Sequence, residues 1–268
     1  MEYQTTAPCN TFQVPDSESP LILSFETATR AGSVALTRGS QLLALRTGEA
    51  QTSHSTKLLQ NIEELLAESG AALPDVELFA AASGPGSFTG LRIGLATVKA
   101  FAATLKRPCV GISTLYAVAH AAGFSERTLS MIPAGRGEVF AQLLSVDEAG
   151  MVLPLSEAVH QQPLKLLESV INFGRLKLAG EGAQQHEPLI KARAERASIL
   201  LLKETATHEE VSTDDERLWL LASPADALAA DIATLAYLSY RGGEAVGPEE
   251  LKAIYVRPSD AELNVQEQ

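Results

Sequence analysis

The sequence predicts an α/β protein made of two related halves, and three observations predict it. Short apolar runs alternate with stretches whose apolar residues recur at helical spacing. A strand, glycine turn, strand, turn, strand order opens at Leu21 and opens again at Leu129. Hydrophobic residues make up 46% of the 268, enough for a sizeable core and too many for a disordered chain.

The elements follow in order. Leu21–Phe25 is a short apolar run and reads as a buried strand. Glu26–Gly32 is a polar turn, Ser33–Leu36 resumes a strand, and Gln41–Arg46 forms a third after the turn at Arg38–Ser40. A helix follows, with His54–Ser55 as its cap. Leu58, Leu59, Ile62, Leu65 and Leu66 make its stripe, and Gly70 stops it. Val76–Ala82 is a strand that runs into a glycine-rich segment and a second helix at Leu91–Leu105. The small residues Gly90, Gly94, Ala96, Thr97, Ala100 and Ala103 suit that helix to close packing on more than one side. Cys109–Ile112 is a strand, and Ser113 caps a helix that reaches Ala122.

The second half repeats the order. Leu129–Ile132, Glu138–Val146 and Met151–Leu153 are its first three strands, Gln162–Ile171 is helical, and Leu176–Ala179 is a strand ending in the loop Gly180–Ala183. His186–Leu221 has room for one more helix and strand. The last helix is expected to start with Ser223 as cap and Pro224 at its first position, with Leu228, Ile232, Leu235 and Leu238 as its stripe.

Charge and composition narrow the function. Lys and Arg total 21 against 33 Asp and Glu, a net charge of −12 with a pI near 4.9. Gripping nucleic acid over a wide surface needs clustered cations, so a chain this acidic is not expected to do so by itself, though it could serve a nucleic-acid pathway by binding a basic partner. The two cysteines, Cys9 and Cys109, are too few for a disulfide framework or a four-cysteine zinc site, which fits a reducing cytoplasm. No stretch approaches an uncharged apolar span of roughly 18 residues, so no membrane partner is expected. Met1–Pro20 lacks a basic start and an apolar run, and reads as a flexible lead-in.

Three loops sit where strands end, the place where open α/β sheets bind ligands. Glu26–Thr29 offers a carboxylate for a metal ion and hydroxyls for phosphate oxygens, but by itself reads as a hairpin turn. Gly84-Pro85-Gly86-Ser87-Phe88-Thr89-Gly90 has two readings. It is either an anion cradle at a helix N-terminus or a tight turn that lets the helix lie on the sheet; it is not a Walker loop. Gly180-Glu181-Gly182-Ala183 is a turn of the kind that can face a nucleoside. The loops at Glu26 and Gly84 motivate one enzyme reading, a small-molecule kinase or ATPase. No catalytic residue is assigned. The five histidines are scattered without metal-ligand spacing, so a metallopeptidase has no support, and Cys109 in its apolar run is a packed thiol.

The chain resembles the TsaB (formerly YeaZ) family, a subunit of the bacterial machinery that makes threonylcarbamoyladenosine in tRNA. The resemblance lies in Ile22–Thr29 with Gly32–Leu36, in His54-Ser55 with Leu58-Leu59, and most specifically in Gly84–Gly94. It continues in Gly111–Leu115, Gly137–Phe140, Tyr255–Pro258 and Ala261–Leu263. It implies a two-lobed fold of the actin, hexokinase and Hsp70 type with duplicated RNase H-like halves. It also implies a non-catalytic subunit without cofactor or metal, one that pairs with the catalytic subunit TsaD and is joined by the ATPase TsaE. The transfer of threonylcarbamoyl to the adenosine beside the anticodon falls to TsaD. tRNA is then met only through the complex, and the isolated chain either pairs with itself or stays single.

The resemblance divides the chain into an extension (1–20), an N-terminal lobe (21–108) and a C-terminal lobe (109–268), with the last helix on either lobe. It puts the partner on the first two helices, at Leu58, Leu59, Ile62, Leu66, Arg92, Gly94, Thr97 and Phe101. Vestigial nucleotide loops are then expected at Glu26, Thr27, Gly84, Gly86, Ser87, Gly180 and Gly182. Glu26 stands where relatives often have Asp, and Pro133-Ala134-Gly135 replaces an Asp-Ala-Arg-like turn. A longer acid displaces a metal ligand and a proline removes an N–H, so both changes weaken a phosphate site.

Overall fold

Strand β1 (Leu21–Glu26) is buried along its whole length because both of its faces are covered. Leu21, Leu23 and Phe25 enter one apolar cluster and Ile22 another, the period-two alternation of a strand between two layers. The structure is a computed structural model and describes residues 18–30, 32–48, 54–204, 217–225 and 227–256. β2 (Ser33–Arg38) and β3 (Gln41–Thr47) complete an antiparallel meander with β1. Helix α1 (His54–Glu68) follows; the cap expected at His54–Ser55 rests on side chains outside the described residues. β4 (Leu78–Gly84) returns parallel to β1, α2 (Phe88–Leu105) crosses over, and β5 (Cys109–Ser113) pairs parallel with β4. The five-stranded sheet has the order β3-β2-β1-β4-β5. It therefore extends past the lobe boundary expected at residue 108. Helix α3 (Thr114–Ala121) closes this half; Ser113 precedes it without a side-chain capping bond.

The second half repeats the plan. β6 (Ser125–Gly135) and β7 (Glu138–Val146) pair antiparallel, and β8 (Val152–Pro154) and β9 (Val159–Gln161) both pair with β7. After α4 (Pro163–Ser169), β10 (Arg175–Ala179) runs parallel to β6. Next come α5 (Glu181–Gln185), α6 (Glu187–Arg196), β11 (Leu200–Lys203) and β12 (Leu218–Leu221). The sheet order β11-β12-β10-β6-β7-β8 places β6 as β1 is placed, between a meander and a parallel strand. Among its described residues, the stretch His186–Leu221 thus holds a helix and two strands.

The last helix, α7 (Ala229–Arg241), starts later than its sequence suggests. Ser223 is engaged elsewhere: its hydroxyl donates to the Glu204 carbonyl at 2.9 Å. The first turn of α7 is instead anchored to the other half. Ala229 N–H donates to Ser33 Oγ at 3.0 Å, and Ser24 Oγ donates to the Ala229 carbonyl at 2.7 Å. α7 lies against β1, β2, β4 and β5 of the first sheet, while α3 lies against β6 and β7 of the second, and the two helices touch.

The result is five layers in two lobes. α1 and α2 cover the outer face of the first sheet, with Phe25, Phe79, Leu65 and Val98 between them. α4 and α6 cover the outer face of the second, around Trp219, Leu178 and Ile190. α3 and α7 fill the space between the sheets, where Ile22, Ala80, Leu115, Ile132 and Ile232 share one cluster. α2 spans eighteen residues at mean hydropathy 1.2, long and apolar enough by length and composition to cross a membrane, although it carries Arg92 and Lys99 and so is not an uncharged span. Its buried side, from Leu91 to Ala102, packs on the first sheet, as the core helix of a folded lobe does.

Candidate functional site

The first two loops interlock. Glu26, 1% exposed, turns its carboxylate back on its own turn: Ala28 N–H donates to Oε1 at 2.6 Å, Thr29 N–H at 2.7 Å, and Thr29 Oγ1 donates to Oε2 at 2.5 Å. A carboxylate held by backbone N–H groups fixes the turn as a capping acid fixes a helix start. That turn presses into the start of α2. Ser87 N–H donates to the Ala28 carbonyl at 2.8 Å, and Thr27 Oγ1 donates to the Gly90 carbonyl at 2.8 Å. A Cβ on Gly90 would lie 1.8 Å from the Thr27 carbonyl oxygen, and one on Gly94 2.3 Å from Thr27 Oγ1. Gly86, at φ +155, would bring a Cβ to 2.6 Å from the Ala28 carbonyl oxygen.

Of the two readings of the glycine segment, the geometry favours the tight turn. The room that glycine provides is filled by Thr27 and Ala28. At the N-terminus of α2, Ser87 Oγ already accepts from Gly90 N–H at 3.2 Å. Gly84 is crossed by the C-terminal stretch: its Cβ would meet the Ile254 carbonyl oxygen at 2.5 Å, and Ile254 N–H donates to the Ser83 carbonyl at 2.7 Å.

The third loop uses the same device in the other half. Gly180, at φ +95, would put a Cβ 2.4 Å from the Met131 carbonyl oxygen, and Gly182 would put one 2.9 Å from Met131 C. Glu181–Gln185 is helical here, where a plain loop was expected, so the glycines let this short helix sit on β6. Thus Glu26, Thr27, Gly86 and Ser87 are brought together, while Gly180 and Gly182 pack against β6 and α3.

The titratable groups are dispersed. His120 Nδ1 lies 2.7 Å from Asp231 Oδ1 and ties α3 to α7, and His160 pairs with Glu138 at 2.9 Å. Among the described residues no group of three His, Cys, Asp or Glu could hold a metal ion. Burial pushes the Cys109 thiol up to about 12, with Glu249 and Glu250 adding to the rise and Lys99 opposing it. Such a thiol stays protonated and is a poor nucleophile.

The helices expected to meet a partner divide sharply. Leu58, Ile62 and Leu66 turn inward, at 7%, 4% and 7% exposure, and belong to the chain's own core; Gly94 is buried against Thr27. The helical stripe could not separate them from Leu59, because stripe membership does not say which edge of a stripe a sheet covers. Leu59 points outward at 60% exposure. On α2, Arg92, Ala96, Ala100 and Ala103 are exposed in one row, with Thr97 half-buried beside them. Phe101 is half-buried and packs on Phe25 and Phe79, at 6.4 and 5.8 Å between ring centroids.

A family model described as TsaD, tRNA N6-adenosine threonylcarbamoyltransferase, matches residues 48–190, more than half of the chain. The chain belongs to this family. Among its relatives, the Escherichia coli K12 tRNA threonylcarbamoyladenosine biosynthesis protein TsaB is 35% identical over 133 residues, or 48% of this chain and 57% of the relative. TsaB of Haemophilus influenzae is 36% identical over 122 residues, or 44% and 51%. The chain spans about half the length of the curated relatives it matches. The structural likeness is longer: YeaZ from Pseudomonas aeruginosa superposes with a TM-score of 0.67 at 26% identity, over 88% of this chain and 99% of that one. A second Pseudomonas aeruginosa structure, described by its similarity to peptidase YeaZ, gives 0.69 at 25%, over 89% and 100%. The names these relatives and structures carry are TsaB and YeaZ, and the two-lobed α/β fold agrees with the structural likeness.

Proposed function

We propose that the chain acts in the biosynthesis of threonylcarbamoyladenosine in tRNA as a non-catalytic subunit that pairs with a TsaD-type catalytic subunit. The observation that carries this reading is the outward face of α1 and α2. Leu59 and the row Ala96, Ala100 and Ala103 leave a surface that another helix can approach closely, since small residues keep few atoms between backbones. Burying such a face contributes roughly 25 cal/mol per Å2 of apolar area before association costs are subtracted.

The role is supported by what the chain's own residues do. The Glu26 turn and the glycine segment hold each other rather than standing open, which favours a structural subunit over the alternative kinase or ATPase. A net charge of −12 suits a subunit that meets tRNA through its partners, in the cytoplasm, with a TsaE-type ATPase as third member. Co-purification tests the pairing: a TsaD-type subunit should elute with this chain in a defined ratio. Calorimetry with ATP and Mg2+ tests the alternative, and tight binding with turnover by the isolated chain would establish it instead.

A further inference from the structure

We infer that the C-terminal stretch around Tyr255 and the start of α2 form a single anchor for the partner subunit, made of the stacked side chains of Tyr255, Phe88 and Arg92; this rests on the pairing proposed above. The Tyr255 and Phe88 rings lie 5.8 Å apart, and the Arg92 guanidinium lies 3.9 Å from the centre of the Phe88 ring. The three make a continuous stack, and all are exposed, Tyr255 at 51% and Phe88 at 39%. Aromatic and arginine side chains in one cluster are the composition that dominates binding energy at protein interfaces. The cluster does not float free: Ile254, next to Tyr255, is hydrogen-bonded to Ser83 and crosses Gly84, so the stretch is seated before any partner arrives. A seated side chain loses less freedom on binding.

Charge points to what sits on it. Arg92 forms no hydrogen bond or ion pair with any described residue, although the chain carries twelve more acidic than basic groups. α2 has no acidic residue in its first turn, so among the described residues the positive end of the helix and the guanidinium lie close together without an anion paired to them. Arg92 also begins the exposed row that continues through Ala96, Ala100 and Ala103. The occupant is therefore a subunit that lays a helix along this row and, at the end nearest the stack, presents a carboxylate to Arg92 and apolar side chains to the two rings.

The test is a set of affinity measurements with the full chain and a purified TsaD-type subunit. Tyr255→Ala and Phe88→Ala should each weaken pairing roughly tenfold or more, with the thermal midpoint of the isolated chain nearly unmoved for Tyr255→Ala. Tyr255→Phe should keep the affinity, since the stack needs the ring. Arg92→Glu should weaken pairing further and flatten its dependence on salt. Wild-type affinity in both alanine variants, together with pairing lost in Leu59→Asp, would overturn the anchor and leave the proposed pairing standing. No binding by the unaltered chain would overturn both. Self-association that is lost in the stack variants, without partner binding, would assign the cluster to a second copy and overturn the inference.

Discussion

At Gly90 a hydrogen separates the backbone of α2 from the backbone of the Glu26 turn, and no other side chain fits. A Cβ 1.8 Å from the Thr27 carbonyl oxygen forces one of two rigid segments to move. Gly90→Ala should therefore cost about 3 kcal/mol or more of stability in chemical denaturation, although alanine is the better helix former. Cys109 gives a second residue-level prediction. Its thiol is raised to about 12 in the folded chain, above the value near 9 expected when exposed. Below pH 9 both states hold the proton and the contribution is fully present. Between 9 and 12 the unfolded chain releases the proton and the folded chain keeps it, so stability should fall as pH rises through that window. In a Cys9→Ser background a thiol reagent at pH 8 should label the native protein very slowly and the denatured protein at once.

At the scale of elements, the sequence was most informative where one local signal decides the outcome. The Leu21–Arg46 meander, the α1 stop at Gly70 and the β5 run were legible from apolar periodicity and turn residues. What failed depended on distant contacts. Ser223 followed by Pro224 looks like a helix start, yet Ser223 is claimed by Glu204 and the start of α7 is fixed by Ser24 and Ser33, about two hundred residues away in sequence. Glycine spacing marked the important loops, but only their packing against Thr27, Ala28 and Met131 shows that the space is used internally. The Tyr255 stack had no local signal, since its partners stand far off in the chain. α1 supplies the matching prediction. Ile62→Ala should cost about 3 kcal/mol of stability, because Ile62 is core. Leu59→Asp should leave the unfolding midpoint nearly unchanged and act on partner affinity instead.

For the whole molecule, the middle layer decides the behaviour. α3 and α7 join both sheets in one apolar cluster, so neither lobe can lose its inner face alone. The single tryptophan, Trp219, is fully buried in the outer cluster of the second lobe, while Cys109 is buried in the first. Trp219 fluorescence and Cys109 labelling should therefore report one coincident transition in denaturant; separate midpoints would mean lobes that unfold independently. In this duplicated frame the strand-end loops and the outer helix face are separate surfaces. Here the loops are filled by the chain itself, while Leu59 of α1 and Arg92, Ala96, Ala100 and Ala103 of α2 are exposed. The most direct test is a reconstituted threonylcarbamoylation assay on tRNA with this chain and a TsaD-type subunit, each alone and both together, with the remaining components held constant. The account predicts no transfer by this chain alone, little by the partner alone and full transfer with both. Transfer by this chain alone, or full transfer without it, would contradict the account.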